Sequence, residues 1–426
     1  MWWLPLLLVF LGSLAADDNL ADVLCPEESG IPSYCPAFMV VRGSEFGNQQ
    51  DDYLARAQNI IRKSSEKIRE AVQKERDLSE CFFQIFQFLA LERRQLAIDH
   101  HTVGSDQFGA RRDLEGCADF SYTPFIGGYS EYGKQILTFL KEALSTMPRE
   151  GGQFLEKTWL HEETFLGKRS SVEIQIFDKD DLKREKWHEG LQETDLPQWF
   201  PAALLKEPPK DLSGKKTLFQ ALRQLRLTAP EKYSHLRMGS LLMLMMNDFP
   251  SPMKAGKLGG PMKWVGNLNY LKSFYVLCTV RLEIQGNMEP LFQYITWGYQ
   301  NPDDPEEDPC ERMARCSEVV VVHQHESLIQ KTLDDASHVF AKAVQWNGKN
   351  IVELQELIAL LRLELICMPF LRGSAATSEW MEAAIYEFHK LRYTMDRNRL
   401  TDLEAYSNPY PSQFFNAYTS YIKVSR

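Results

Sequence analysis

Apolar residues at Ile351, Leu354, Ile358, Leu361 and Leu365 step by three and four, which places them on one face of a helix. Cys367 and Met368 prolong that face, and Pro369 to Ser374 interrupts it. Proline lacks an N–H and disfavours helix at the residue before it, while Gly373 followed by Ser374 reads as a turn and a new helix start. A second stripe, Met381, Ala384, Ile385, Phe388 and Leu391, follows at once, so residues 351–391 are expected to form an αα-hairpin. Upstream, Leu54, Ala57, Ile61, Ser64, Ile68, Ala71, Glu75, Leu78, Phe82, Ile85 and Leu89 keep a three-four spacing with two polar intrusions. That seam fits one long helix against a globular body, or a coiled-coil homo-oligomer through residues 54–89.

Further helices are expected over residues 132–147, 217–227, 231–247 and 327–346. Strand patterns are fewer. Val172 to Phe177 alternates cleanly, residues 273–284 are rich in β-branched and aromatic side chains, and four successive valines precede His323. The balance predicts a mainly α protein with a minor β component: a helical body with a C-terminal αα-hairpin, containing disulfides. Residues 250–261, with three prolines and three glycines, read as the one candidate boundary between a helical region with a short strand (51–249) and an α+β C-terminal region (262–426).

The N-terminus changes the expected compartment. Trp2 to Leu14 is apolar throughout, and Ser13-Leu14-Ala15 offers the small residues that a signal peptidase needs. The run is shorter than the ~20 residues that span a bilayer. Residues 1–15 are therefore expected to be a cleaved signal peptide, followed by an irregular leader over 16–50, and no transmembrane segment is expected in the mature chain. All eight cysteines follow the cleavage point, and proximity in turn-rich sequence suggests the pairs Cys25 with Cys35 and Cys310 with Cys316. A formal net charge of −10 argues against a nucleic-acid partner, because such proteins present a basic face.

Candidate chemistry is sparse. In Val322-His323-Gln324-His325, a continued strand would turn both imidazoles to one face, and Asp334 and His338 on the next helix could complete a transition-metal site. Asp178-Lys179-Asp180 at a strand end could hold a metal–diphosphate complex, but reads more simply as turn chemistry. The acidic run Asp303 to Asp308 lacks the glycine and alternation of a calcium loop and reads as solvated surface.

Met368-Pro369-Phe370-Leu371-Arg372-Gly373-Ser374 resembles the helix-loop-helix motif of the Fic family of AMP-transferring enzymes, sharing Pro369, Phe370 and Gly373 with it. Met368 stands where that motif has its base histidine, Arg372 where it has its metal-binding acid, and Ala375 and Ala376 where it has glycine and arginine. The resemblance therefore implies no transferase activity here. Its physical remainder is a helix start at Arg372, Gly373 and Ser374, suited to an anion. No serine-hydrolase elbow, zincin helix or P-loop is present, and no cofactor is indicated. The expected function is a secreted, soluble binding or interaction protein for a protein or small-molecule ligand, using the aromatic-glycine loops of residues 100–133 and the 54–89 helix. The alternative is a secreted enzyme, metal-dependent through His323, His325 and His338.

Overall fold

The computed structural model describes residues 47–102, 105–113, 122–125, 130–150, 153–178, 272–299, 319–396 and 399–426. The expected signal peptide and leader, both expected cysteine pairs, Asp180, the acidic run, the expected helices at 217–227 and 231–247, and the expected boundary at 250–261 lie outside these residues.

Helix α1 (Gly47–Gln73) and helix α2 (Leu78–Asp99) occupy the stretch read as one long helix. Glu75 between them takes a left-handed φ of 51°, and the Asp77 carboxylate caps α2 by accepting from the Ser79 N–H at 2.8 Å. The chain thus turns back. Arg56 meets Asp99 and Asp52 meets His100, so the two helices run antiparallel. The apolar stripe of α1, including Leu54, Ile61 and Ile68, is buried in the core of the same chain, where α1 packs on α2 and on helix α6 (Ser374–Phe388). The seam read as a homo-oligomer surface is spent inside the fold.

The main correction concerns the β content. Strands β1 (Tyr122–Phe125), β4 (Thr158–Phe165), β5 (Lys168–Asp178), β6 (Lys272–Ile284), β7 (Asn287–Tyr299) and β8 (Val319–His323) form one six-stranded sheet in the order β1-β8-β7-β6-β5-β4. Every neighbouring pair is antiparallel. A two-stranded ribbon, β2 (Arg149–Glu150) with β3 (Gln153–Phe154), precedes it. The protein is therefore α+β rather than mainly α. Strands β5, β6 and β8 are expected from the sequence; the added β content is chiefly β7, whose residues are buried on both faces from Leu291 on and give no alternation, and the edge strand β4, which is mostly exposed. Two hairpin turns close the sheet, Leu166-Gly167 and Gln285-Gly286, each with positive φ at both residues, the twist that two-residue hairpins favour.

One face of the sheet, with Val172, Ile174, Val276, Cys278, Phe292, Tyr294 and Val321, joins a single core with the helices. The helical layer comprises α1, α2, α3 (Ser130–Ser145), α4 (Glu326–Val344), α5 (Ile351–Leu365), α6, α7 (Thr401–Ser407) and α8 (Pro411–Tyr421). A short ribbon of β9 (Arg392–Met395) and β10 (Ile422–Ser425) ties down the C-terminus. None of the helices among the described residues is long and apolar enough to cross a membrane.

The C-terminal hairpin needs correction as well. Both expected helices form, but α5 packs chiefly on α4 and α8, whereas α6 packs chiefly on α1 and α2. Nor does a disulfide occur among the described residues: Cys81, Cys278 and Cys367 are buried thiols. Burial pushes the Cys81 thiol up to about 11 and that of Cys367 up to about 12, so they behave as small apolar residues.

Gly109 and Gly167 both have positive φ, but a Cβ at Gly109 would collide with the Ala90 carbonyl of α2, while one at Gly167 meets nothing within 4 Å. Gly109→Ala is expected to cost at least about 3 kcal/mol in urea unfolding, and Gly167→Ala about 1 kcal/mol. Equal losses would show that backbone strain, not the approach to α2, dominates.

Candidate functional site

Helix α5 is the element around which the ionisable groups of the interior collect. Its sequence is apolar on nearly every side, and Leu354, Gln355 and all residues from Ile358 to Leu365 are buried. Asn350 starts it by accepting from the Val352 N–H at 3.1 Å. Two of its buried side chains are ionisable, Arg362 and Glu364. Two residues apart on a helix means about 200° around the axis, so they face opposite sides.

On one side, Arg362 donates to Asp402 of α7 at 2.9 Å and lies 3.5 Å from Glu382 of α6. Tyr418 of α8 donates to Glu382 at 2.5 Å and meets the Tyr386 hydroxyl at 2.8 Å. Burial disfavours the Arg362 charge, but Asp402 and Glu382 outweigh it and push its pKa up. The same burial raises Glu382 and Asp402, with Arg362 opposing.

On the other side, Lys168, the first residue of β5, bridges Asp335 of α4 and Glu364. Glu364 is wholly buried, while Lys168 and Asp335 are 19% and 15% exposed at their side chains. Burial pushes the Glu364 carboxyl up to about 8, because desolvation outweighs the attraction of Lys168 and the nearby Asp335 adds repulsion. Burial likewise works against the Lys168 charge, yet its two carboxyl partners raise its pKa overall.

At the C-terminal end of α5 a third cation replaces a cap. Arg112 is buried, and its guanidinium donates to the carbonyls of Cys367, Met368 and Gln324, at 2.8, 2.5 and 2.8 Å. Two of these carbonyls lie just past the end of α5 and the third, Gln324, lies between β8 and α4, so one guanidinium ties the two segments together. Its own N–H donates to Pro369 O at 2.9 Å, and Leu371 N–H donates to Ala110 O at 2.9 Å, so residues 108–112 and 369–372 are laced together.

The histidines expected to gather a metal have other employment. His323 closes β8 and is buried; its Nδ1 lies 2.6 Å from the Tyr406 hydroxyl, which donates in turn to Ile366 O at 3.3 Å. Burial, reinforced by Arg112, pushes its pKa down to about 3, which keeps it neutral. His325 is not on the strand but at the start of α4, where its Nδ1 accepts from the Ser327 N–H at 3.1 Å. His338 donates from Nδ1 to the Asp334 carbonyl of its own helix, and the Asp334 carboxylate accepts from Gln330 at 2.7 Å. Among the described residues, no group of three or more His, Cys, Asp or Glu side chains stands together to hold a metal ion. The strand ends at His323, so the two imidazoles do not share a strand face.

The turn read as an anion site is also built into the fold. Ser374 Oγ accepts from the Phe370 N–H at 3.1 Å, closing the turn. Gly373 starts α6 with φ 90°, and a Cβ there would press on Arg93 and Phe108. Arg372 and Arg93 both stack on the Phe108 ring, their guanidinium carbons 4.4 and 4.2 Å from its centre.

Sequence reasoning did not assign Lys168, Asp335, Arg362, Glu382, Asp402 or Arg112. The available signal was Arg362 and Glu364 inside the apolar run of residues 357–371: charges at core positions demand partners. A scan against protein-family models finds no match to this chain, and a search of the curated proteins finds none either.

Elsewhere, between α3 and the α7–α8 corner, the surface forms an open hollow. It is a cleft of about 590 Å³ lined by Glu131, Lys134 and Glu142 of α3 and by Asn408, Gln413 and Asn416.

Arg112→Met would leave the carbonyls of Gln324, Cys367 and Met368 without this donor and is expected to cost about 3–5 kcal/mol, against about 1 kcal/mol for the lost cap in His325→Ala. Urea unfolding of both variants measures the difference. A smaller loss for Arg112→Met than for His325→Ala would refute the capping role.

Proposed function

We propose that this chain is a secreted binding protein whose ligand lies in the cleft between α3 and α7–α8. The observation that carries the reading is the contrast between interior and cleft. The interior's ionisable groups at α5 contact one another, and the histidines and the α6 turn bond to nearby hydroxyl and backbone groups of the fold, while the cleft presents polar side chains to solvent.

The lining suggests what such a ligand would be. Asn408, Gln413 and Asn416 carry amides that both donate and accept, which suits a peptide backbone. Lys134 approaches Glu131 at 3.4 Å, so Glu142 supplies the excess charge, which suits a basic side chain. A short basic peptide segment is the ligand class that these groups match best. Phe139 at the cleft wall, edge-on to Tyr410 with ring centres 5.7 Å apart, offers an apolar contact beside them.

Two measurements test this reading. A displayed peptide library panned against the immobilised mature chain is expected to enrich basic sequences, which lose at least about tenfold in affinity on Glu142→Gln/Asn416→Ala, a loss of about 1.4 kcal/mol. Enrichment of no sequence, or of sequences that bind the double variant equally, would contradict the proposal. For the compartment, expression in a secreting cell is expected to release a chain whose N-terminal sequence begins at Ala16 or Asp17. Retention inside the cell with Met1 in place would remove the secretory half.

A further inference from the structure

We propose that Lys168, Asp335 and Glu364 form a pH-sensitive latch that fastens the β4–β5 hairpin to helices α4 and α5. The geometry carries the idea. Lys168 stands directly after the Leu166-Gly167 turn, at the tip of a two-stranded hairpin that forms one edge of the sheet. Its ammonium is the polar bridge from that tip to two different helices. Glu364 is wholly buried, one of its oxygens faces Lys168, and the other, Oε2, has no hydrogen-bond partner. A carboxylate held in this way leaves part of its charge unsolvated, whereas a neutral carboxyl does not.

The charges facing Glu364 come from two elements: Lys168 of β5, and Asp335 with Lys342 of α4. On its own element, the Cys367 thiol lies one turn further on. Helices α6, α7 and α8, which also pack on α5, direct Glu382, Asp402 and Tyr418 to the Arg362 side instead. With Glu364 neutral, Lys168 and the Asp335 carboxylate balance. With Glu364 ionised, two carboxylates share one ammonium, and water reaches Lys168 and Asp335 but not Glu364. Strand β5 is also paired with β6 along residues 170–178 and joined to it beside the tip by Arg169 donating to Glu283, while β4 is held outside the sheet by Glu163 accepting from Ser412 of α8 and by Phe165 against Phe415.

Opening the latch would return Glu364 to water and to its ordinary value of 4.5, against about 8 when closed. The closed form has the higher pKa, so its advantage is complete below about pH 4.5. It falls about tenfold per pH unit above that, and is spent above about pH 8. The hairpin is therefore held shut in acid and released toward neutral and alkaline pH.

Hydrogen exchange of the hairpin amides in the full chain, from pH 5 to 9 and corrected for intrinsic rates, reads the opening directly. Protection over residues 158–170 is expected to fall about tenfold per pH unit up to about pH 8 and then level off. Amides of α1 serve as the internal reference and should not follow. Glu364→Gln is expected to abolish the slope. A flat wild-type profile overturns the latch whether or not that variant folds. So does a slope that α1 shares, or one that survives in Glu364→Gln.

Discussion

Burying an ionisable group in a protein interior costs several kcal/mol unless a partner is delivered to it or its charge is given up, and α5 buries two, Arg362 and Glu364, on opposite sides of one helix. That constraint organises the molecule. Arg362 requires carboxyls, and α6 and α7 bring Glu382 and Asp402. Glu364 requires an ammonium, and the edge hairpin of the sheet brings Lys168, with Asp335 of α4 sharing it. Between the end of α5 and the start of α4, the carbonyls of Cys367, Met368 and Gln324 require donors, and residues 108–112 bring Arg112. Each requirement recruits a different part of the chain, so α5 becomes the axle on which sheet and helices are registered. The apolar core supplies the larger energy but is indifferent to register; side chains such as Trp380, Phe340 and Tyr294 gain roughly 1.5–3 kcal/mol each wherever they are buried.

The same logic explains why the expected chemical sites dissolved. His323 and His325 promised a pair of nitrogens, but each answers a nearer need, one a buried tyrosine hydroxyl and the other an uncapped helix start. Arg372, Gly373 and Ser374 promised an anion site, but Ser374 closes its own turn and the guanidinium stacks on Phe108. Polar groups near helix ends are commonly taken up by the backbone itself, which is the nearest partner in space.

How much was legible follows from which signals are local. The helices at 351–365, 374–388 and 326–344 could be read because a stripe of period 3.6 is contained in a dozen residues. Strand β5 could be read because only alternate residues are buried. Strand β7 and the edge strand β4 were missed: β7 is buried on both faces, and β4, with Leu160 exposed and Trp159 half-buried, inverts the expected pattern. The division between α1 and α2 turns on Glu75 and Asp77, a left-handed residue and a cap within a charged stretch that reads as continuous helix. The ion partners were illegible for a deeper reason. Lys168 and Glu364 are 196 residues apart, and nothing in a single sequence pairs them.

The account stands on the claim that the charges at α5, and not apolar packing alone, fix its partners. A double-mutant cycle between Arg362→Met and Asp402→Leu, followed by urea unfolding, measures this. If the pair organises the packing of α5 on α7, the coupling energy should be about 2 kcal/mol or more, with the double variant recovering much of what either single change loses. Losses that add to within about 0.5 kcal/mol would contradict the account and leave apolar burial as the sole organiser.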